Sequence, residues 1–311
     1  MQPRELERLA ARCVPGVGPV DIRQLSLGLV NGTYRVERGG VAYALRLAAA
    51  DGGGDLGLDR AWEARVLQSA AAAGLAPAVE YCDTRRGILL SRWIDGRCWS
   101  AAEVRTGPNL GAIAALLRRV HALPLPDLTR RMSPRGWIDY YHSALARSAA
   151  RRSADDEALR AAAGARLDRL ATLPAEPAVV CHSDLHTGNV LDAAGSPHSP
   201  SLILLDWEYA HASDPWWDLA GWSANNDLED EHRHELLSQY TGRAATAGDG
   251  ARLEALSWLY DYTCLLWSEL YLRPPADEAR PPADDARGER QIDGVEARAR
   301  LLEARLKAAP E

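Results

Sequence analysis

Apolar positions along this chain alternate in its first part and recur at helical spacing in the rest. A short charged helix is predicted over residues 3–12, and the stretch from about 25 to 92 reads mainly as strand. Gln24 to Val36 is expected to form a strand, a Gly/Asn turn at Leu29-Val30-Asn31-Gly32, and a second strand. From Val41 to Leu47 the pattern places Val41, Tyr43, Leu45 and Leu47 on one face. Ala42, Ala44 and Arg46 fall on the other. Leu58 to Ala73 predicts a helix, ended by Gly74 and followed by Pro77. Strands at 78–82 and 87–92 complete a small sheet. Beyond residue 100, helices are predicted over 109–122, 135–150, 155–172, 215–228, 229–241, 251–272 and 287–308. Short apolar runs at 178–181 and 202–205 read as buried strands, and the Pro-rich stretch 274–285 as an exposed loop. The pattern predicts an α+β chain with a small sheet lobe over 1–95 and a larger helical lobe over 96–311.

Composition narrows the function. The 311 residues are 47% hydrophobic and 25% charged, a soluble balance with material for a core. Lys and Arg number 36 against 43 Asp and Glu, a net charge of −7. That argues against a nucleic-acid binder relying on a broad basic face and mildly favours cationic or metal-chelated ligands. The N-terminal residues lack the apolar core of a signal peptide, and no apolar run approaches the ~20 residues that cross a bilayer. Membrane insertion is therefore not expected. The five cysteines, Cys13, Cys82, Cys98, Cys181 and Cys264, are scattered and form no CxxC pair. A reducing, cytoplasmic setting fits them better than a disulfide framework. No residue pattern specifies an oligomeric state.

The densest chemistry lies in His182-Ser-Asp184-Leu-His-Thr-Gly-Asn189, followed by Leu202-Ile-Leu-Leu-Asp206. One apolar strand delivers His182 and Asp184 into a loop, Asn189 follows, and a second apolar strand ends in Asp206. Phosphoryl transfer needs such a kit: a carboxylate to orient and deprotonate an acceptor hydroxyl, with an amide and another carboxylate for Mg²⁺. Because the transition state is loose, positioning and charge neutralisation matter more than a strong base. Any one of these residues alone would read as turn geometry. A metal-only hydrolase could draw on His182, His186, Asp184 and Asp206, although no HExxH is present. Earlier in the chain, Glu63 shares a helical stripe with Trp62, Val66, Leu67 and Ala70. A carboxylate on an apolar face is costly unless paired, and Arg46 is the natural partner.

This block resembles the aminoglycoside phosphotransferase and choline kinase superfamily, whose members share a bilobal protein-kinase-like fold. Leu205-Asp206-Trp207-Glu208-Tyr209-Ala210 and Asp214-Pro-Trp-Trp-Asp218-Leu-Ala220 resemble the bacterial choline kinase and thiamine kinase branch. The likeness runs from roughly residue 22 to 272. It implies ATP as donor, Asp184 as catalytic base, Asn189 and Asp206 as Mg²⁺ ligands, and His182 as a buttress of the loop. Asp218 would brace that loop. Arg46 and Glu63 would form the strand-to-helix pair that holds phosphates, with Arg where most kinases carry Lys. Ser26-Leu-Gly28-Leu-Val-Asn31-Gly-Thr33 resembles the phosphate-covering loop, with Ser26, Asn31 and Thr33 beside the nucleotide. Ser91-Arg-Trp93-Ile-Asp95-Gly96 would be the hinge, where the backbone around Trp93 meets adenine.

The acceptor side is expected on the helix at 251–272. Tyr260, Cys264, Trp267 and Tyr271 form one stripe; Trp258, Tyr262, Leu265 and Glu269 form another. An aromatic wall with a nearby acid suits a cationic group through cation–π attraction. Leu266-Trp267-Ser268 resembles the region where choline kinases place a cage tryptophan. Trp207, Glu208, Trp216 and Trp222 lie close in sequence to Asp206 and are further candidates. Asn225 falls where animal-type choline kinases carry an acid. Glu229-Asp-Glu231 reads either as a polyamine site or, in preference, as a helix N-terminus. The expectation is an ATP- and Mg²⁺-dependent kinase acting on a small cationic metabolite, choline or a choline-like amino alcohol first. Thiamine, then an aminoglycoside, then a non-catalytic nucleotide-binding module are the alternatives.

Overall fold

The computed structural model describes residues 3–27, 30–48, 56–126, 131–147, 153–193, 201–273 and 286–309. The chain opens with α1 (Pro3–Cys13), β1 (Asp21–Leu27), β2 (Asn31–Arg38), β3 (Val41–Ala48), α2 (Arg60–Ala72), β4 (Val79–Asp83) and β5 (Ile88–Arg92). The five strands make an antiparallel sheet in the order β1-β2-β3-β5-β4. Alternation on β3 is as expected: Tyr43 and Leu45 are buried with Val36, Ile88 and Leu90 against Leu9, Ala10, Cys13 and Val14 near α1. Arg46, set between Thr33 on β2 and Leu89 on β5, belongs to the opposite face. There it meets α2, which buries Trp62, Glu63, Val66, Leu67 and Ala70. The helix begins two residues later than the apolar pattern suggests because Asp59 caps it, accepting from the N–H groups of Ala61 and Trp62.

A larger, mostly helical region follows: α3 (Gly107–His121), α4 (Pro134–Ala146), α5 (Ala154–Leu170), α6 (Trp216–Asn225), α7 (Asp230–Thr241), α8 (Ala247–Leu272) and α9 (Ala286–Ala308). Its core includes the fully buried Trp207, Trp217 and Trp222. Helix α8 starts earlier than expected because Thr246 and Asp249 form a capping box, each side chain accepting from the other's backbone N–H at 3.2 and 2.8 Å. Helix α6 stops short of residue 228, where Asp227 adopts φ 47°. Two small antiparallel pairs sit among the helices. β6 (Val179–Cys181) joins β9 (His211–Ser213), and β7 (Val190–Asp192) joins β8 (Leu202–Leu204). β6 and β8 match the predicted apolar runs. β7 and β9 carried no signal of their own, since three residues show no period. No helix among the described residues is long and apolar enough to cross a membrane. The stretch 274–285 lies outside the described residues.

Candidate active site

The two strand pairs converge on one loop system. β6 ends at Cys181, and His182, Ser183 and Asp184 follow directly. Ser183 and Asp206 adopt φ 69° and φ 59°, the left-handed region that side chains other than glycine avoid. Buried hydrogen bonds hold this geometry. The Asp218 carboxylate, at the start of α6, accepts the N–H groups of His182 at 2.9 Å and Ser183 at 2.7 Å. It also meets His121 Nε2 at 3.1 Å. Burial alone would raise the Asp218 pKa, but the hydrogen bond and charge of His121, with His182, more than offset it and the net shift is downward. His182 donates from Nε2 to the Leu205 carbonyl at 2.8 Å, and its Nδ1 accepts from the Asp184 N–H at 3.3 Å. That pattern requires the neutral ring, and burial lowers its pKa in the same sense. His182 thus ties the Asp184 loop to the strand that leads into Asp206.

Asp184 and Asn189 meet directly. Asn189 Nδ2 donates to the Asp184 carbonyl at 2.8 Å and to its Oδ2 at 2.9 Å. The amide is therefore oriented, and its Oδ1 is left without a partner among the described residues. Nearby, Arg46 pairs with Glu63 and reaches Asp206 Oδ1 at 2.7 Å. Arg60 spans Glu63 at 3.0 Å and Glu208 at 2.8 Å, and also donates to Asn31 Oδ1 at 2.9 Å. Asn31 Nδ2 closes the network on Glu208 at 2.6 Å. Two guanidinium groups thus face three carboxylates, an excess of negative charge in a largely buried place. Burial, with the neighbouring Asp206 charge, pushes Glu208 up to about 7. Burial raises Asp206 as well, against the pull of Arg46. Hard oxygen donors and surplus carboxylate are what a Mg²⁺ ion takes, so the residues fit that ion.

A cavity of about 520 Å³ opens on this loop system. Thr33, Asp184, Asp206 and Glu208 line one part of it; Trp137, Tyr141, Tyr209, Tyr260, Trp267 and Arg298 line another. Trp267 donates to the Tyr209 hydroxyl at 2.6 Å and stacks on Tyr271 with ring centres 5.2 Å apart. Tyr260 donates to the Ser183 carbonyl at 3.2 Å, which fixes the wall to the loop that follows β6. Its ring lies on Gly221 of α6, where a Cβ would come within 2.8 Å.

Several expected site residues lie elsewhere. Trp207 sits beneath His182, with ring centres 4.8 Å apart, and its indole donates to the Leu204 carbonyl at 3.1 Å. It is a core residue rather than part of the acceptor wall. Glu269 borders a separate cavity with His142, Asp156 and Arg273, because the two stripes of α8 face different neighbours. Asn31 borders the main cavity, but both ends of its amide are taken by Arg60 and Glu208. Trp93 gives its backbone N–H to the Ala42 carbonyl at 3.1 Å and its indole to Asp95 at 2.8 Å, outside the cavity. The side chain of Ser26, together with Gly28 and Leu29, lies outside the described residues. Trp216 and Trp222 are core residues, and Glu229, Asp230 and Glu231 begin α7. Conversely, the structure brings Arg60, Trp137, Tyr141, Tyr209 and Arg298 to the site, none of them an expected site residue. The Arg60–Glu63 spacing on α2 was a usable signal for the first. Trp137 and Tyr141 were visible only as a stripe on a helix, and Arg298 had no signal at all.

A sequence profile of the phosphotransferase enzyme family matches residues 21–256, from β1 into α8. Among solved structures, a choline/ethanolamine kinase family protein from Mesorhizobium loti is 24% identical, covers 98% of this chain and 99% of its own, and superposes with TM-score 0.68. A choline kinase from Streptococcus pneumoniae is 22% identical over 94% of this chain and 98% of its own, with TM-score 0.71. A spectinomycin phosphotransferase in complex with ADP and spectinomycin is 14% identical over 97% and 99%, with TM-score 0.58. No curated protein sequence matches the chain. At these identities the structural likeness establishes the fold.

Proposed function

The chain belongs to the phosphotransferase enzyme family, and from that premise we propose that it moves the γ-phosphate of Mg·ATP onto the hydroxyl of a small amine-bearing acceptor. The observation that carries this reading is the meeting of Asp184, Asp206 and an aromatic wall around one cavity, with Asn189 bound to Asp184. Asp184 is the base. As the acceptor oxygen forms its bond to the γ-phosphorus, its proton passes to the Asp184 carboxylate. The bond from that phosphorus to the β,γ-bridging oxygen breaks, and the electron pair leaves with ADP. Asn189 Oδ1 and Asp206 would hold Mg²⁺, which when bound neutralises charge on the phosphates. Arg46, steadied by Glu63, serves the phosphates in place of the more usual Lys and keeps its charge at every relevant pH. His182 and Asp218 position the loop without touching the reacting atoms.

Residues 1–95 would form the nucleotide lobe and 96–311 the lobe carrying the catalytic loop and acceptor site. Trp267, Tyr260 and Tyr209 offer ring faces to a cationic nitrogen, with the Asp184 carboxylate at the same cavity. Choline or a choline-like amino alcohol is the first acceptor to try, since similar structures are kinases of choline and ethanolamine by name. The free cysteines suit a cytoplasmic location. The test is ADP release from Mg·ATP with choline, ethanolamine, thiamine and an aminoglycoside in turn. Release stimulated by an amino alcohol supports the reading. Stimulation by thiamine or the aminoglycoside alone would replace the acceptor. Release of inorganic phosphate with no phosphorylated acceptor would overturn kinase chemistry in favour of hydrolysis.

A further inference from the structure

Arg298 stands on the acceptor side of the cavity, one turn along α9 from Gly294 and Val295, which line the same wall. Its surroundings differ from those of the other cavity-facing charges. Nη2 donates to Asn225 Oδ1 at 2.8 Å. The Asn225 Nδ2 donates to the Leu185 carbonyl at 2.9 Å, so the amide can turn only its oxygen toward the guanidinium. A second neighbour is the Cys264 thiol, which burial pushes up to about 12 and so keeps neutral, while the Asp184 and Asp261 carboxylates act on the guanidinium from beyond ion-pair distance. Among the described residues no carboxylate lies within ion-pair distance of Arg298. One helical position set further on, Arg305 ties the same helix to Asp227 at 2.7 Å and Asp261 at 3.1 Å. Leu302 and Leu306 bury its apolar face. The helix is anchored without Arg298, so that side chain is not needed to hold it.

A guanidinium cannot be neutralised, and its planar fork of donors matches a carboxylate. Placed at the acceptor wall, it repels a simple cation and leaves donors for an anionic oxygen group. Resting on the phosphotransferase reading above, we propose that the acceptor is a zwitterion, a hydroxy amino acid or a hydroxylated betaine. Its carboxylate is held by Arg298, its nitrogen faces the rings of Tyr260 and Trp267, and its hydroxyl lies at Asp184. Asn225, held by the Leu185 carbonyl, orients the arginine.

Matched pairs that differ by one carboxylate test this: ethanolamine with L-serine, 3-aminopropanol with L-homoserine, and β-methylcholine with L-carnitine. ADP release is measured for each with the wild-type chain, Arg298→Met and Arg298→Lys, and ATP binding is followed in parallel by intrinsic tryptophan fluorescence. In at least one pair the acid is expected to be the better acceptor by kcat/KM. Arg298→Met should raise its KM by about tenfold or more, as loss of a charge-assisted hydrogen bond does. The KM of ATP should not move, that of the decarboxylated partner should not rise, and Arg298→Lys should restore part of the loss. If the amino alcohol is the better acceptor in every pair, and Arg298→Met leaves both members unchanged, the proposal is wrong. Silence with all six molecules while ATP still binds would overturn it together with the amine-bearing acceptor, leaving the nucleotide half of the reading intact. Failure of ATP to bind would instead strike the phosphotransferase reading itself.

Discussion

The two sides of the cavity are built on different terms. On the side of the sheet and catalytic loop, charges are interlocked: Arg46 and Arg60 share Glu63, Asp206 and Glu208, and Asn31 closes the set. On the other side, rings from α4, α8 and the Tyr209 turn make an apolar wall, and Arg298 faces it with no carboxylate of the described residues within ion-pair distance. A reaction that always handles the same triphosphate can keep a fixed, mutually satisfied ion network. A surface that selects one acceptor needs an adaptable apolar wall and a charge held in reserve for the ligand. The interlocked side should therefore tolerate substitution poorly in stability and nucleotide handling, whereas the wall should tolerate it with a change in acceptor affinity alone.

Three substitutions press on that contrast. Asp184→Asn, at the seam between the two sides, removes the proposed base and should lower kcat by about a thousandfold, within the usual range for general base catalysis. KM for ATP should stay within a factor of about two, because the isosteric amide keeps the Asn189 contact. Glu63→Ala strips the shared partner from two buried guanidinium groups, whose side chains are 14% and 13% exposed. Breaking a buried ion network in this way costs about 3 kcal/mol, read as a lower denaturant midpoint, and KM for ATP should rise with it. Trp267→Ala removes one ring and the donor to Tyr209. It should raise acceptor KM by about tenfold through lost cation–π contact while KM for ATP holds. A large effect of Trp267→Ala on ATP would mean that the two sides are not separable.

The same division explains what could be read from residues alone. The side of the sheet and the Asp184 loop is legible because its chemistry is contiguous: His182, Asp184, Asn189 and Asp206 lie between the end of β6 and the residues just after β8, and strand geometry fixes which side of β3 carries Arg46. Glu63 was legible for a different reason, as an acid on an apolar stripe. The wall is another matter. Tyr260 and Trp267 were visible as a stripe on α8, but the periodicity of a helix does not say which neighbour each face meets. That is why Glu269 landed in a separate cavity and Trp207 in the core. Arg298 comes from a helix that pattern alone marked only as a helix. Its place depends on the tertiary anchoring of α9 through Arg305, Leu302 and Leu306. At Trp93 the backbone N–H continues the sheet pairing with Ala42, a tertiary detail that residue pattern does not specify.

The central claim is that Asp184 directs transfer of phosphate to an acceptor hydroxyl. Phosphorus NMR of a reaction with Mg·ATP and an acceptor that stimulates ADP release tests it most directly, with wild-type and Asp184→Asn proteins compared. The account predicts a new phosphomonoester resonance that grows in step with ADP for the wild-type chain and is lost for the variant. Equal phosphoester formation by both proteins, or inorganic phosphate as the sole product, would contradict it.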